Sequence, residues 1–169
     1  MNEQYSVPIL IYEQDLTKQG AALELYNKIK QKKLDVTVLI NNAGFGLVGA
    51  TDEINLSIDE QMMMLNMINL VSLSKLIILD MYRNKKGKIL NVSSTGAFQP
   101  GPYTSTYFAS KAFVLSYSRA IRYEAKARGV QICILCPGAT KTGFLEEKVQ
   151  LLQIKRCYLS RLPASHLED

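Results

Sequence analysis

The stretch VTVLINNAGFG, residues 36–46, changes character at its middle. Residues 36–40 are apolar or β-branched with no polar alternation, as expected of a strand buried on both faces. Residues 41–46 are amides, small residues and glycines, the composition of a loop that another group can approach closely. Further short apolar runs lie at VPILIY (7–12), KILNVS (88–93) and VQICILC (130–136). Helical segments fall between these runs. The first is expected over 17–33. The second starts near Ser57, where SIDE has the Ser-x-x-Glu capping-box pattern, and reaches Arg83. The third is expected over 104–128, with Gly129 as its terminator. A β-α-β-α-β-α-β order implies a parallel sheet with helices on its faces.

The 169 residues suit one domain with room for a hydrophobic core. With 47% hydrophobic and 21% charged residues, a globular chain is expected and extensive disorder is not. The most apolar helical segment, MINLVSLSKLIILDMY (67–82), is interrupted by Lys75 and Asp80, so no membrane span is expected. The opening MNEQYSVPILIYEQD lacks a basic region followed by an apolar stretch, so no signal peptide and a cytoplasmic location are expected. The net charge of +5 is scattered along the chain. Its densest cluster, Arg83, Lys85, Lys86 and Lys88, falls between a helix and a strand and reads as a solvated turn. No basic stripe with interleaved aromatics is present, so nucleic-acid binding is not expected. Cys133 and Cys136 have redox or zinc spacing but lie in a β-like run, where residues three apart point to opposite faces. No second ligand pair accompanies them, and no metal site is expected. The one histidine, His166, is near the end of the sequence, which leaves a Ser-His-Asp triad unsupported.

In a parallel sheet every strand ends at the same edge, and ligands bind in the crevice there. NNAGFG follows the second strand, SSTGAFQPG with Ser94 the third, and PGATKT (137–142) the fourth. Strand-to-helix loops are commonly rich in Gly, Asn and Ser, but three on one edge favour a ligand site. Beside them runs YTSTYFASKAF (103–113), where Tyr107 stands four residues before Lys111 and so on the same helix face. A phenol next to an ammonium is an acid–base pair or ordinary packing. Tyr103, eight residues before Lys111, suits pocket lining or packing.

Taken in order, these motifs resemble the short-chain dehydrogenase/reductase family over residues 7–144. NNAG is 41–44, the helix asparagine is Asn66, the serine is Ser94, Tyr-x-x-x-Lys is Tyr107 to Lys111, and Pro-Gly with its threonine is Pro137, Gly138 and Thr142. Asp15 with Leu16 resembles the acidic position near the adenine. The resemblance implies an α/β, Rossmann-like parallel sheet with helices on both faces, incomplete because only family strands 3 to 6 are matched. The partial domain would cover 1–143, with 144–169 a tail of uncertain structure. The implied activity is NAD(P)-dependent interconversion of a small-molecule carbonyl and an alcohol. Tyr107 would be the general acid/base, and Lys111 would lower its pKa and bind the nicotinamide ribose. Ser94 would orient the substrate oxygen, and Asn66 would support Lys111 through a water. Asp15, Asn41, Ala43 and Gly44 would line the adenosine and ribose side. Pro137 and Gly138 would also bind the cofactor, with Thr142 on the carboxamide of the nicotinamide. The sequence holds no Thr-Gly-x-x-x-Gly-x-Gly turn, which reads as a truncated member and leaves NAD or NADP open. A homo-oligomer or association with another chain is expected. Without family strands 1 and 2, the first two strands would pair directly or another chain would cover the edge. The alternative reading is a non-catalytic remnant acting by association.

Overall fold

The structure, a computed structural model, describes residues 9–138 and the strand at Arg156–Ser160. Strands β2 (Val38–Asn41), β3 (Gly87–Val92) and β4 (Val130–Leu135) form a parallel sheet in the order β2-β3-β4. Helix α1 (Ala21–Gln31) precedes β2, α2 (Leu56–Arg83) precedes β3, and α3 (Ser105–Lys126) precedes β4. The alternation of strand and helix read from the sequence is the order the chain takes.

Pairing places Leu39 beside Ile89 and Ile89 beside Ile132, so these side chains form one row on one face. That row packs with Leu25 and Ile29 of α1, Leu73, Ile77 and Met81 of α2, and Ala125 of α3. Burying each large aliphatic chain contributes roughly 1.5–3 kcal/mol, which makes this layer the main cohesion of the fold. Helix α2 is long and apolar enough to cross a membrane by length and composition, yet its buried stripe is the middle of this core. On the opposite face Val38, Ile40 and Leu135 are exposed, and the described helices pack against the core face alone.

Strand β1 (Ile9–Glu13) takes neither of the partners expected from the sequence. It pairs antiparallel with β5 (Arg156–Ser160), Ile11 opposite Tyr158, rather than parallel with β2. Segment 144–169, set apart as a tail on sequence grounds, therefore contributes a strand. An antiparallel partner satisfies the β1 backbone groups that a direct β1–β2 pairing was expected to satisfy.

Two helix ends also differ from the sequence reading. The cap of α2 is Asn55, whose Oδ1 accepts from the Ser57 amide and hydroxyl at 2.9 Å, in place of a Ser57–Glu60 box. Helix α1 starts at Ala21 because Asp15 Oδ1 accepts from the Thr17 amide (3.0 Å) and hydroxyl (2.6 Å), a side-chain turn that holds Thr17 outside the helix. Helix α3 is followed by Gly129 at φ 73°, where a side chain would strike the Lys85 carbonyl.

Candidate active site

The carboxyl ends of β2, β3 and β4 converge below α2 and α3, and a polar ladder fixes their spacing. Asn41 donates to Ser74 Oγ (2.9 Å) and Asn91 Oδ1 (2.8 Å), and Asn91 donates to Ser118 Oγ (2.8 Å). All four lie at or under the helices, where unpaired amides would each cost about 1–3 kcal/mol. The loops that leave the strands are tied to one another as well. The Ser93 amide donates to Leu135 O at 2.8 Å and the Thr95 amide to Pro137 O at 3.0 Å.

Helix α2 is interrupted by a π segment at Met64–Asn69. The wider turn aims Asn66 and Asn69, three residues apart, at different loops, and both are buried. Asn66 donates to Phe45 O (2.9 Å) and Ser110 Oγ (3.0 Å), and its Oδ1 accepts from the Phe45 amide (3.2 Å). It thus clamps the loop 41–46 to α3. Asn69 donates to Leu16 O (2.8 Å) and Lys18 O (2.9 Å), and accepts from the Ala22 amide (3.1 Å). It clamps the segment that carries Asp15.

Glycines let this loop meet the candidate catalytic groups. A Cβ on Gly44 would lie 2.9 Å from Asn66 Oδ1 and 3.4 Å from Lys111 Nζ. A Cβ on Gly46 would lie 2.6 Å from the Tyr107 ring, so that ring rests directly on backbone. Phe108 packs edge-on to Tyr107, with centroids 6.0 Å apart.

Tyr107, Ser94 and Lys111 come together as the spacing implied, with an electrostatic difference. Burial raises the Tyr107 pKa above its ordinary 10.0, and the opposing influence is a hydrogen bond with the Ser94 side chain, not Lys111. Lys111 is only 6% exposed, and burial lowers its pKa from 10.5 to about 8. Its Nζ lies 5.7 Å from the Tyr107 ring centroid and donates to Val92 O at 3.1 Å. Lys111 is not among the influences on the Tyr107 pKa, of which burial is the largest. Asn66 meets Phe45 and Ser110 directly. Ser93, next to Ser94, turns the other way, and its hydroxyl donates to Lys111 O at 2.7 Å.

Leu16, Asn41, Ala43, Leu65, Asn69, Leu70 and Leu73 line a cleft of about 20 Å³ between the Asp15 segment, the end of β2 and α2. Of the residues expected on the adenosine side, Asn41 and Ala43 line this cleft. Pro137 and Gly138 lie at the end of β4, Gly138 exposed. Thr142 lies outside the described residues. Asn69, Asn91, Ser110 and Gly46 were not singled out from the sequence. Their signal was polar or small residues at buried positions of apolar elements.

Residues 1–152 match the short chain dehydrogenase family. The chain is 32% identical over 137 residues to a 3-ketodihydrosphingosine reductase of Bacteroides thetaiotaomicron, covering 79% of this chain and 50% of that protein. It is 36% identical over 144 residues to the human 17-beta-hydroxysteroid dehydrogenase type 3, covering 80% and 44%. Among solved structures, a short-chain dehydrogenase from Sphingobium yanoikuyae in complex with NADPH superposes with a TM-score of 0.73 at 27% identity, covering 80% of this chain and 52% of that one. The chain spans about half the length of the curated relatives it matches.

Proposed function

The chain belongs to the short-chain dehydrogenase family, and from that membership we propose that Ser94, Tyr107 and Lys111 serve an NAD(P)-dependent interconversion of a carbonyl and an alcohol. The observation that carries the reading is the convergence of Ser94, Tyr107 and the buried Lys111, whose Nζ lies 5.7 Å from the Tyr107 ring centroid, at the end of a parallel sheet. A nicotinamide cofactor would supply or remove the hydride at the reacting carbon. Lys111 would face its ribose, Asn41, Ala43, Gly44 and Asp15 its adenosine side, and Pro137, Gly138 and Thr142 its nicotinamide. Gly44 fits this role, because the site there already lacks room for a side chain.

The chain's own residues handle the proton. Ser94 Oγ orients the substrate oxygen and Tyr107 Oη exchanges a proton with it. Tyr107, whose ordinary pKa of 10.0 is raised further by burial, is protonated at neutral pH and can donate to the oxygen of a carbonyl being reduced. Lys111 and Asn66 support the proton's return to Tyr107.

Titration of the purified chain with NADPH and NADH, followed by dihydronicotinamide fluorescence, tests the reading. The absence of tryptophan keeps the protein background low. Saturable binding is expected, with Tyr107→Phe retaining it and losing turnover. No binding by a folded chain would defeat the proposal. A second reading, a non-catalytic member acting by association with another chain, is favoured by one observation. β2 ends the parallel sheet with one side unpaired among the described residues. A specific partner together with absent nucleotide binding would select it.

A further inference from the structure

The loops around Ser94 and Tyr107 are unlike the rest of the molecule. Charged residues make up 21% of the chain, yet residues 41–51 and 91–110 contain no Asp, Glu, Lys or Arg. The same loops expose large apolar side chains: Val48 is 77%, Phe98 60% and Tyr103 67% exposed. Contacts place all three about the candidate site. Gly46 lies under the Tyr107 ring and the Gly49 amide donates to Tyr103 O at 2.8 Å, so Val48 sits on the strip between the two tyrosines. Phe98 ends the short 3-10 turn Thr95–Phe98, whose N-cap is Ser94. Tyr103 is held at φ 61°, a left-handed conformation that an aromatic residue rarely adopts. Its bond with Gly49 maintains this geometry and keeps the phenol out in solvent rather than in the core. Such outliers concentrate where a side chain must be presented to a ligand.

We propose that the site takes a neutral, bulky, apolar ketone or secondary alcohol, gripped by Val48, Phe98 and Tyr103, and disfavours small anionic or acidic-carrier-bound carbonyl compounds. The inference rests on the oxidoreductase reading and adds the substrate class. Apolar side chains gain by covering apolar ligand surface. Lys111 is buried and donates to Val92 O, and the described rim above it offers no exposed cation to replace the hydration of a carboxylate or phosphate, so an anion held there would lose solvent without gaining a partner. A neutral ligand with one carbonyl loses little, since Ser94 and Tyr107 receive its single polar atom.

Benzophenone is itself a neutral bulky ketone, and on irradiation it attaches to nearby C–H bonds, so it reports binding without turnover. The chain would be photolabelled over a concentration series and the adducts mapped by peptide mass spectrometry. Expected are saturable adducts within residues 45–51 and 94–104, suppressed by benzhydrol and unaffected by acetoacetate. Phe98→Ala and Tyr103→Ala, with thermal melts as a folding control, should each weaken saturation by about fivefold. Adducts chiefly on the bare sheet face at Val38 and Ile40, or suppression by acetoacetate, would overturn the proposal. The nicotinamide titration separates the two claims. Rim labelling without nucleotide binding defeats the oxidoreductase reading alone. NADPH-dependent reduction of acetoacetate without rim labelling defeats the substrate class alone.

Discussion

At the scale of the residue, Lys111 is the charge among the described residues whose pKa burial moves furthest. Its pKa falls from 10.5 to about 8 through burial, a differential on the order of 3 kcal/mol at neutral pH. Below about pH 8 both folded and unfolded chains hold the proton, and the full cost of the buried ammonium is present. Between about 8 and 10.5 the native chain releases the proton while the unfolded chain keeps it, so stability rises with pH. Above pH 10 the trend reverses, because burial raises Tyr107 and Tyr117 and the unfolded tyrosines ionise first. Urea denaturation from pH 7 to 11 should therefore show maximal stability near pH 10. Lys111→Met should raise stability at pH 7 by about 1–2 kcal/mol, less than the full differential because the Val92 carbonyl loses its donor. The same variant should lose the rise above pH 8; a rise that persists would assign it elsewhere. Gly46→Ala forces a Cβ to within 2.6 Å of the Tyr107 ring. It should lower kcat severely and leave the NADPH Kd nearly unchanged, while costing about 1–3 kcal/mol of stability as overpacking does. Equal losses in binding and turnover would contradict a role through Tyr107. The Tyr-x-x-x-Lys spacing was legible because helix geometry alone puts those residues on one face. The electrostatic relation between them was not, since it depends on a depth of burial that spacing does not encode.

At the scale of the element, the apolar runs and their intervening helices were legible because strands show as short β-branched apolar runs and helices as longer stretches with an apolar period of about 3.6 residues. The π segment of α2 was not legible. Its residues, MLNMIN, read as plain helix, and the widened turn exists because two buried asparagines find partners in separate loops. Asn69→Ala would leave the Leu16 and Lys18 carbonyls and the Ala22 amide without their side-chain partner. A loss on the order of 3 kcal/mol is expected, with faster proteolysis of residues 14–20. Asn69→Asp retains the acceptor for the Ala22 amide but loses both donors, and should be nearly as damaging. If Asn69→Ala melts like the parent and residues 14–20 stay protected, the clamp is dispensable. Strand β5 also escaped reading, because RCYLS has neither strict alternation nor turn residues beside it. Only its long-range pairing with Ile9–Glu13 makes it a strand.

At the scale of the molecule, a parallel sheet ordinarily has both faces covered, and its strands carry apolar residues toward both. Here Leu39, Ile89 and Ile132 face the helices while Val38, Ile40 and Leu135 face outward from the described residues. β2 is also unpaired on one side within the described sheet. An apolar face next to an open strand edge is a site for association. Ile40→Lys distinguishes the two states this face can have. If it is bare in solution, the lysine should leave the folding free energy within about 0.5 kcal/mol and reduce self-association in sedimentation velocity. If residues beyond those described or a second chain cover it, the same substitution buries a charge and should cost more than about 2 kcal/mol, with the loss of a discrete sedimenting species. The first result is the one expected from exposure of Val38 and Ile40 together. The second would show that the apolar outer row of β2 has a partner, and would locate that partner against Ile40.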